Sequence, residues 1–162
     1  MRAIGFIIAF VCFIGVVRGY ATNGTCGKDG VSWFLDNNAT IHVYGNGTIP
    51  DMCPCDVDRD LRSKIRHLVV EEGVTEIGEC DFEHWFIESA IIASSVKRIK
   101  WHAFYSCKNL RRVEYLGNSD PGDFRPYTFD DCPLNFVCVP DTYESKKFCG
   151  IYILKPFSAC AL

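Results

Sequence analysis

Ile65-Arg66-His67-Leu68-Val69-Val70-Glu71-Glu72-Gly73-Val74-Thr75-Glu76-Ile77, continued to Phe82, is echoed 22 residues downstream. Ile65-x-x-Leu68-x-Val70, Val74-x-x-Ile77 and Phe82 return as Ile87-x-x-Ala90-x-Ile92, Val96-x-x-Ile99 and Phe104. One matched pair would mean little, but a run of apolar positions returning at a single offset is a repeat, and periods of this size belong to solenoids. Each copy opens on a strand of period two, which sends alternate side chains inward. A turn follows at Glu72-Gly73 or Ser94-Ser95, then a short second segment, then the phenylalanine in a tight helical turn on the convex side.

A looser third copy begins at Leu110-x-x-Val113-x-Tyr115, carries an insertion containing Asp120-Pro121-Gly122, and resumes at Phe129-x-x-Cys132. The spacings Phe104 to Phe129 and Cys107 to Cys132 are both 25, so the insertion lengthens the period by three residues. A fourth strand over 134–139 closes the array before Pro140. One unit cannot bury its own apolar face, so the copies must stack. The expected ladders are Ile65/Ile87/Leu110, Leu68/Ala90/Val113, Val70/Ile92/Tyr115 and Phe82/Phe104/Phe129. Each buried rung contributes roughly 1.5–3 kcal/mol. With so few copies, caps and disulfides carry an unusual share of the stability.

Upstream, Val31, Trp33 and Leu35 alternate with other residues, as do Ile41 and Val43, around the turn residues Asp36-Asn37-Asn38. That predicts a β-hairpin capping the open end of the first repeat. Residues 51–62 read as a polar connector with at most one helical turn. The assignment is therefore residues 1–21 as signal peptide, 22–60 as hairpin cap and connector, 61–140 as repeats, and 141–162 as C-terminal cap and tail.

The signal assignment rests on Met1-Arg2, an apolar run over 3–17, and small residues at Gly19 and Ala21. The run is short for a bilayer span, which needs about 20 apolar residues. No stable membrane span is expected after cleavage, because the apolar C-terminal stretch is short and broken by Lys155-Pro156. Loss of Arg2 and Arg18 takes the formal charge from −3 to −5, which gives no electrostatic reason to bind nucleic acid. Sequons at Asn23, Asn38 and Asn46 agree with export, and all precede the repeats. Of the 10 cysteines, Cys12 leaves with the signal, and the rest suggest disulfides in an oxidising compartment.

The repeats resemble those of BspA-like leucine-rich repeat surface proteins. Their later copies carry S-V-x-x-I-G followed by A-F-x-x-C-x-x-L, which Ser95-Val96-Lys97-Arg98-Ile99 and Ala103-Phe104-Tyr105-Ser106-Cys107-Lys108-Asn109-Leu110 match. Cys26-Gly27 with Trp33-x-Leu35-Asp36 resembles their N-terminal block, and Val137-Cys138-Val139-Pro140 with Phe148-Cys149-Gly150 their C-terminal block. The chain departs from the pattern at Lys100, which stands in place of glycine, at Trp85, in the position of Cys107 and Cys132, and at the small Ala90. The resemblance implies a leucine-rich repeat solenoid and a secreted or cell-surface binding module, engaged in protein–protein interaction or adhesion.

Candidate sites follow. The outward strand positions form the candidate binding face: His67, Val69 and Glu71; Ser89, Ile91 and Ala93; Arg112, Glu114 and Leu116. Val69 and Ile91 make an apolar pair rimmed by charge, which suits a protein or glycan ligand. Cys107 and Cys132 are expected to stack as unbonded buried thiols, and Cys138 and Cys149 to bond across a short loop. No cofactor and no metal is assigned, although Cys53, Cys55, Cys80 and His84 could be drawn as a zinc set, which keeps a cysteine-dependent metal or redox protein as an alternative. His42, His67, His84 and His102 join no nucleophile motif, so the expectation is a non-catalytic chain. A degenerate structural relative without a specific ligand is a third reading.

Overall fold

The computed structural model describes residues 22–27, 30–52, 55–125, 127–152 and 154–160. The signal assignment over 1–21 and the proposed ligand Cys53 lie outside them. The fold is the expected leucine-rich repeat solenoid. Its repeat strands are β5 (His67–Val70), β7 (Ser89–Ile92), β9 (Arg112–Tyr115) and β10 (Phe136–Val139), all parallel. The repeat offset appears directly as register: Leu68 pairs with Ala90, 22 residues on, and Ala90 with Val113, one residue further because the third copy is looser. The second segments form a smaller sheet, with β6 (Val74–Ile77) between β4 (Gly47–Ile49) and β8 (Arg98–Ile99).

The hairpin forms from β2 (Val31–Leu35) and β3 (Thr40–Gly45), and β1 (Asn23–Thr25) adds an antiparallel strand outside it. The cap works by continuing the sheet. β3 runs parallel to β5 and places Ile41 and Val43 beside Leu68 and Val70, all four buried. Gly45 makes the corner into β4 with φ of 116°, and a Cβ there would lie 2.1 Å from the Gly30 carbonyl oxygen. β3 and β4 thus supply a surrogate repeat.

Two expectations change. Residues 55–62 are packed structure and not a linker. Cys55 bonds to Cys26, Val57 and Leu61 are buried, and Asp58 caps the short helix α1 (Arg59–Arg62) by accepting from the Asp60 N–H. Asp56 Oδ1 accepts from the Trp33 indole at 2.7 Å and the Thr25 N–H at 3.0 Å, tying the connector to the cap. The array also does not close at Val139. β11 (Leu154–Pro156) pairs parallel with β10 and ends an eight-stranded sheet of order β1-β2-β3-β5-β7-β9-β10-β11. Helix α2 (Phe157–Cys160) follows it.

Away from the large sheet, the phenylalanines stack as expected. Phe82 and Phe104 have ring centroids 5.3 Å apart, Phe104 and Phe129 4.9 Å, and Phe148 extends the row 5.8 Å beyond. The surrounding segments are hydrogen-bonded turns, and among the described residues helix is confined to α1 and α2. In each turn two side-chain-bearing residues adopt positive φ: Cys80 and His84, then His102 and Ser106, then Tyr127 and Asp131. Such conformations cost of order 1–3 kcal/mol each and persist only where the surroundings enforce them. Here the enforcement is bonding between repeats. The Phe82 and His84 N–H groups donate to Ala103 and Tyr105, and those of Phe104 and Ser106 to Thr128 and Asp130. Cys107 and Cys132 are unbonded, as expected, although only Cys107 is fully buried, and each thiol donates to the carbonyl of the preceding repeat's Phe82 or Phe104, both at 3.0 Å. Trp85 replaces that cysteine in the first copy because its neighbour is the connector. The Arg62 guanidinium lies 5.4 Å over its ring.

The C-terminal disulfide is Cys138–Cys160, not Cys138–Cys149. Strand alternation is the reason. Val137 and Val139 point into the core, so Cys138 between them points outward, in register with Glu114. Cys149 is buried in the core on the other side of the sheet, beyond reach.

Two outcomes test this architecture. Phe104→Ala, which removes the middle ring of the row, is expected to lower unfolding free energy by about 3–5 kcal/mol in urea titration. Non-reducing peptide mapping should recover the pairs 26–55 and 138–160. Recovery of a 138–149 peptide instead would contradict the strand parity.

Candidate functional site

The outward positions converge because the strands are parallel and in register. One row runs Asn23, Phe34, His42, Val69, Ile91, Glu114, Cys138 and Lys155, one residue per strand. A second runs Thr40, His67, Ser89, Arg112 and Phe136. Val69 and Ile91 are neighbours as anticipated, but half-buried and not exposed.

Polar contacts lock that rim. The His42 Nδ1 lies 2.8 Å from Glu71 Oε1, and its Nε2 3.8 Å from Asp36. His67 Nδ1 and Ser89 Oγ share a hydrogen bond of 2.9 Å. Arg112 pairs with Glu114 at 2.8 Å on the same strand, and its guanidinium lies 5.9 Å from the Phe136 ring centre. The Lys155 ammonium sits 4.3 Å over the same ring. The face is therefore an apolar pair between two charged clusters, with aromatic ground at each end: Phe34, stacked flat on His42 at 4.5 Å, and Phe136. Pre-paired charges of this kind lose little rotamer freedom on binding.

Sequence reading placed His67, Val69, Glu71, Ser89, Ile91, Arg112 and Glu114 on this face; the register brings six of them together, and the His42 contact places Glu71 beside them. Ala93 is buried, which removes it as a contact residue. Phe34, His42, Tyr44 and Phe136 extend the face and were missed. Period-two alternation was the available signal for the first three, since Trp33 and Val43 point inward.

The other constellations fare differently. In the basic run Lys97-Arg98-x-Lys100 two of the three cations are paired, and Lys97 donates to the Ser94 carbonyl. Lys100 bonds Asp51 at 2.9 Å and Glu76 at 2.8 Å, and Arg98 lies 3.5 Å from Glu76. Cys55 is consumed by its disulfide and cannot ligate zinc. Among the described residues no group of three or more histidines, cysteines or acids is placed to hold a metal ion. No described helix is long and apolar enough to cross a membrane. Asn23, Asn38 and Asn46 are all exposed, on β1, at the hairpin turn and at the β3–β4 corner respectively.

Two of the free thiols, Cys80 and Cys149, are held protonated, whereas a hydrogen bond from Cys107 lowers Cys132. Burial, a hydrogen bond with Glu83 and the charges of Glu79 and Asp81 push Cys80 up to about 11. Burial likewise raises Cys149 well above the ordinary thiol value. Since the thiolate is the nucleophile, only about one Cys80 in a thousand is reactive at pH 8. Iodoacetamide labelling of Cys80 in the folded protein, followed by mass spectrometry, should be slow at pH 8 and rise about tenfold per pH unit up to about 11. Fast labelling at pH 7 would revive the redox alternative.

Comparison with known proteins bears on the fold. A search of curated proteins finds no match. Among solved structures, a leucine-rich repeat protein from Eubacterium ventriosum superimposes with a TM-score of 0.49 at 16% identity, covering 83% of this chain and 43% of that one. The pneumococcal vaccine antigen PcpA gives 0.38 at 13% identity, covering 80% of this chain and 37% of that one. This chain thus spans less than half the length of either. A family model described as BspA type leucine rich repeat region, with 6 copies, matches residues 61–150. More than half of the sequence lies within that match, and the chain belongs to the BspA-type leucine-rich repeat family.

Proposed function

We propose that this protein is exported and acts as a non-catalytic binding module, taking a protein or glycan ligand on the outward strand face. The observation that carries the proposal is the Val69–Ile91 pair, half-buried at the centre of the sheet and bounded by the His42/Glu71 and Arg112/Glu114 clusters. Interfaces concentrate their binding energy in such a central apolar patch with a polar rim. His67, Ser89, Glu71, Arg112 and Glu114 supply directional contacts around it. Two disulfides and three exposed sequons support export to a secreted or cell-surface location. Adhesion is the role that fits a surface-directed member of this family.

The test is a binding screen of the purified protein against arrayed extracellular proteins and glycans, repeated with Val69→Glu and Ile91→Glu. Both side chains point away from the core, so the variants should fold, as checked by circular dichroism. Each should weaken a true ligand at least tenfold, because the carboxylate enters the desolvated centre. Ligands that bind wild type and both variants alike would rule out this face.

A further inference from the structure

The N-terminal edge of the same face holds a second site. Asn23 stands directly opposite Phe34 across β1 and β2. The Leu35 N–H donates to Thr22 and the Cys26 N–H to Val31, which makes Thr22–Leu35 and Cys26–Val31 hydrogen-bonded pairs. In an antiparallel ladder the classes alternate, so Asn23–Phe34 is a non-hydrogen-bonded pair, the class that brings opposed side chains closest. Both residues point outward. Trp33 is buried beneath them, and a Cβ added at Gly24 would meet Trp33 and Asp56. One face of the Phe34 ring is covered by His42, parallel to within 1°. The other face is turned toward β1, where Asn23 is exposed and begins the sequon Asn23-Gly24-Thr25.

We infer that Asn23 carries an N-linked glycan whose first N-acetylglucosamine lies on the open face of Phe34. The inference rests on the export reading above. The donor is an oligosaccharide joined through its C1 to a polyprenyl pyrophosphate. Transfer forms the bond from Asn23 Nδ2 to C1, breaks the C1–O bond, and releases the polyprenyl pyrophosphate and one amide proton. The C–H groups of the sugar then meet the electron-rich ring face. The sugar covers the remaining face of Phe34 and forms the N-terminal wall of the binding face. A partner is thereby confined to the stretch from Val69 to Phe136. The other two sequons lack this setting, since Asn38 is at the hairpin turn and Asn46 at the β3–β4 corner.

The experiment is glycopeptide mapping of the full chain secreted from a glycosylation-competent host, with thermal melts of wild type, Asn23→Gln, Phe34→Ala and the double variant. Enzymatic removal of the glycan from folded wild type gives a second route that changes no core residue. Asn23 should be occupied, and loss of its glycan by either route should lower Tm by about 3 °C. In the Phe34→Ala background the same loss should leave Tm unchanged. An unoccupied Asn23 beside an occupied Asn38 or Asn46 overturns the inference and leaves export standing. A Tm drop of equal size with and without Phe34 overturns the packing. No occupied sequon in the secreted chain overturns the inference and leaves export standing, whereas a chain that the host does not secrete overturns both.

Discussion

Parallel pairing in register is the constraint on which the rest of this structure depends. Because Leu68 sits beside Ala90, and Ala90 beside Val113, every strand position in one repeat meets its own counterpart in the next. Inward positions therefore build continuous apolar rows, and outward positions build continuous surface rows. The phenylalanine row, the thiol row and the mixed polar face all follow from that stacking. A slip of one residue would reverse every side chain in a strand, so the ladders and the candidate site cannot be changed independently.

The same alternation decides the disulfides. Cys138 and Cys149 are near in sequence, which made their pairing attractive, yet β10 turns Cys138 outward while Cys149 packs in the core. Cys160 reaches Cys138 because β11 adds a strand and α2 turns its end toward the outward face. At the other end, Cys26–Cys55 and the bonds of Asp56 hold the hairpin against the first repeat. A solenoid with few repeats has little internal core between its caps, and covalent ties at both ends compensate for that.

Much of the candidate site was legible in the sequence. Strand phase alone identified His67, Val69, Ser89, Ile91, Arg112 and Glu114 as one surface. Phe34 and His42 escaped because the hairpin was read as a lid over the first repeat, whereas it extends the sheet. Phe136 escaped because the last strand was treated only as closure. The half-burial of Val69 and Ile91 was also invisible, since solvent access is a property of the assembled sheet and strand phase says only which way a side chain points.

Apolar spacing by itself determined the solenoid, its ladders, its stacked thiols and the phase of each strand, because burial demands a repeating pattern and leaves it in the composition. Tertiary structure alone decided the partner of Cys138, the fourth ring of Phe148 and the left-handed residues at 80, 84, 102, 106, 127 and 131. No apolar signature marks those six. They include cysteine, histidine, serine, tyrosine and aspartate, and hydrogen bonds to the next repeat hold the conformation in the positions the structure shows bonded across. Local residue preference speaks for a single chain segment, whereas these features exist only once neighbouring copies are in contact.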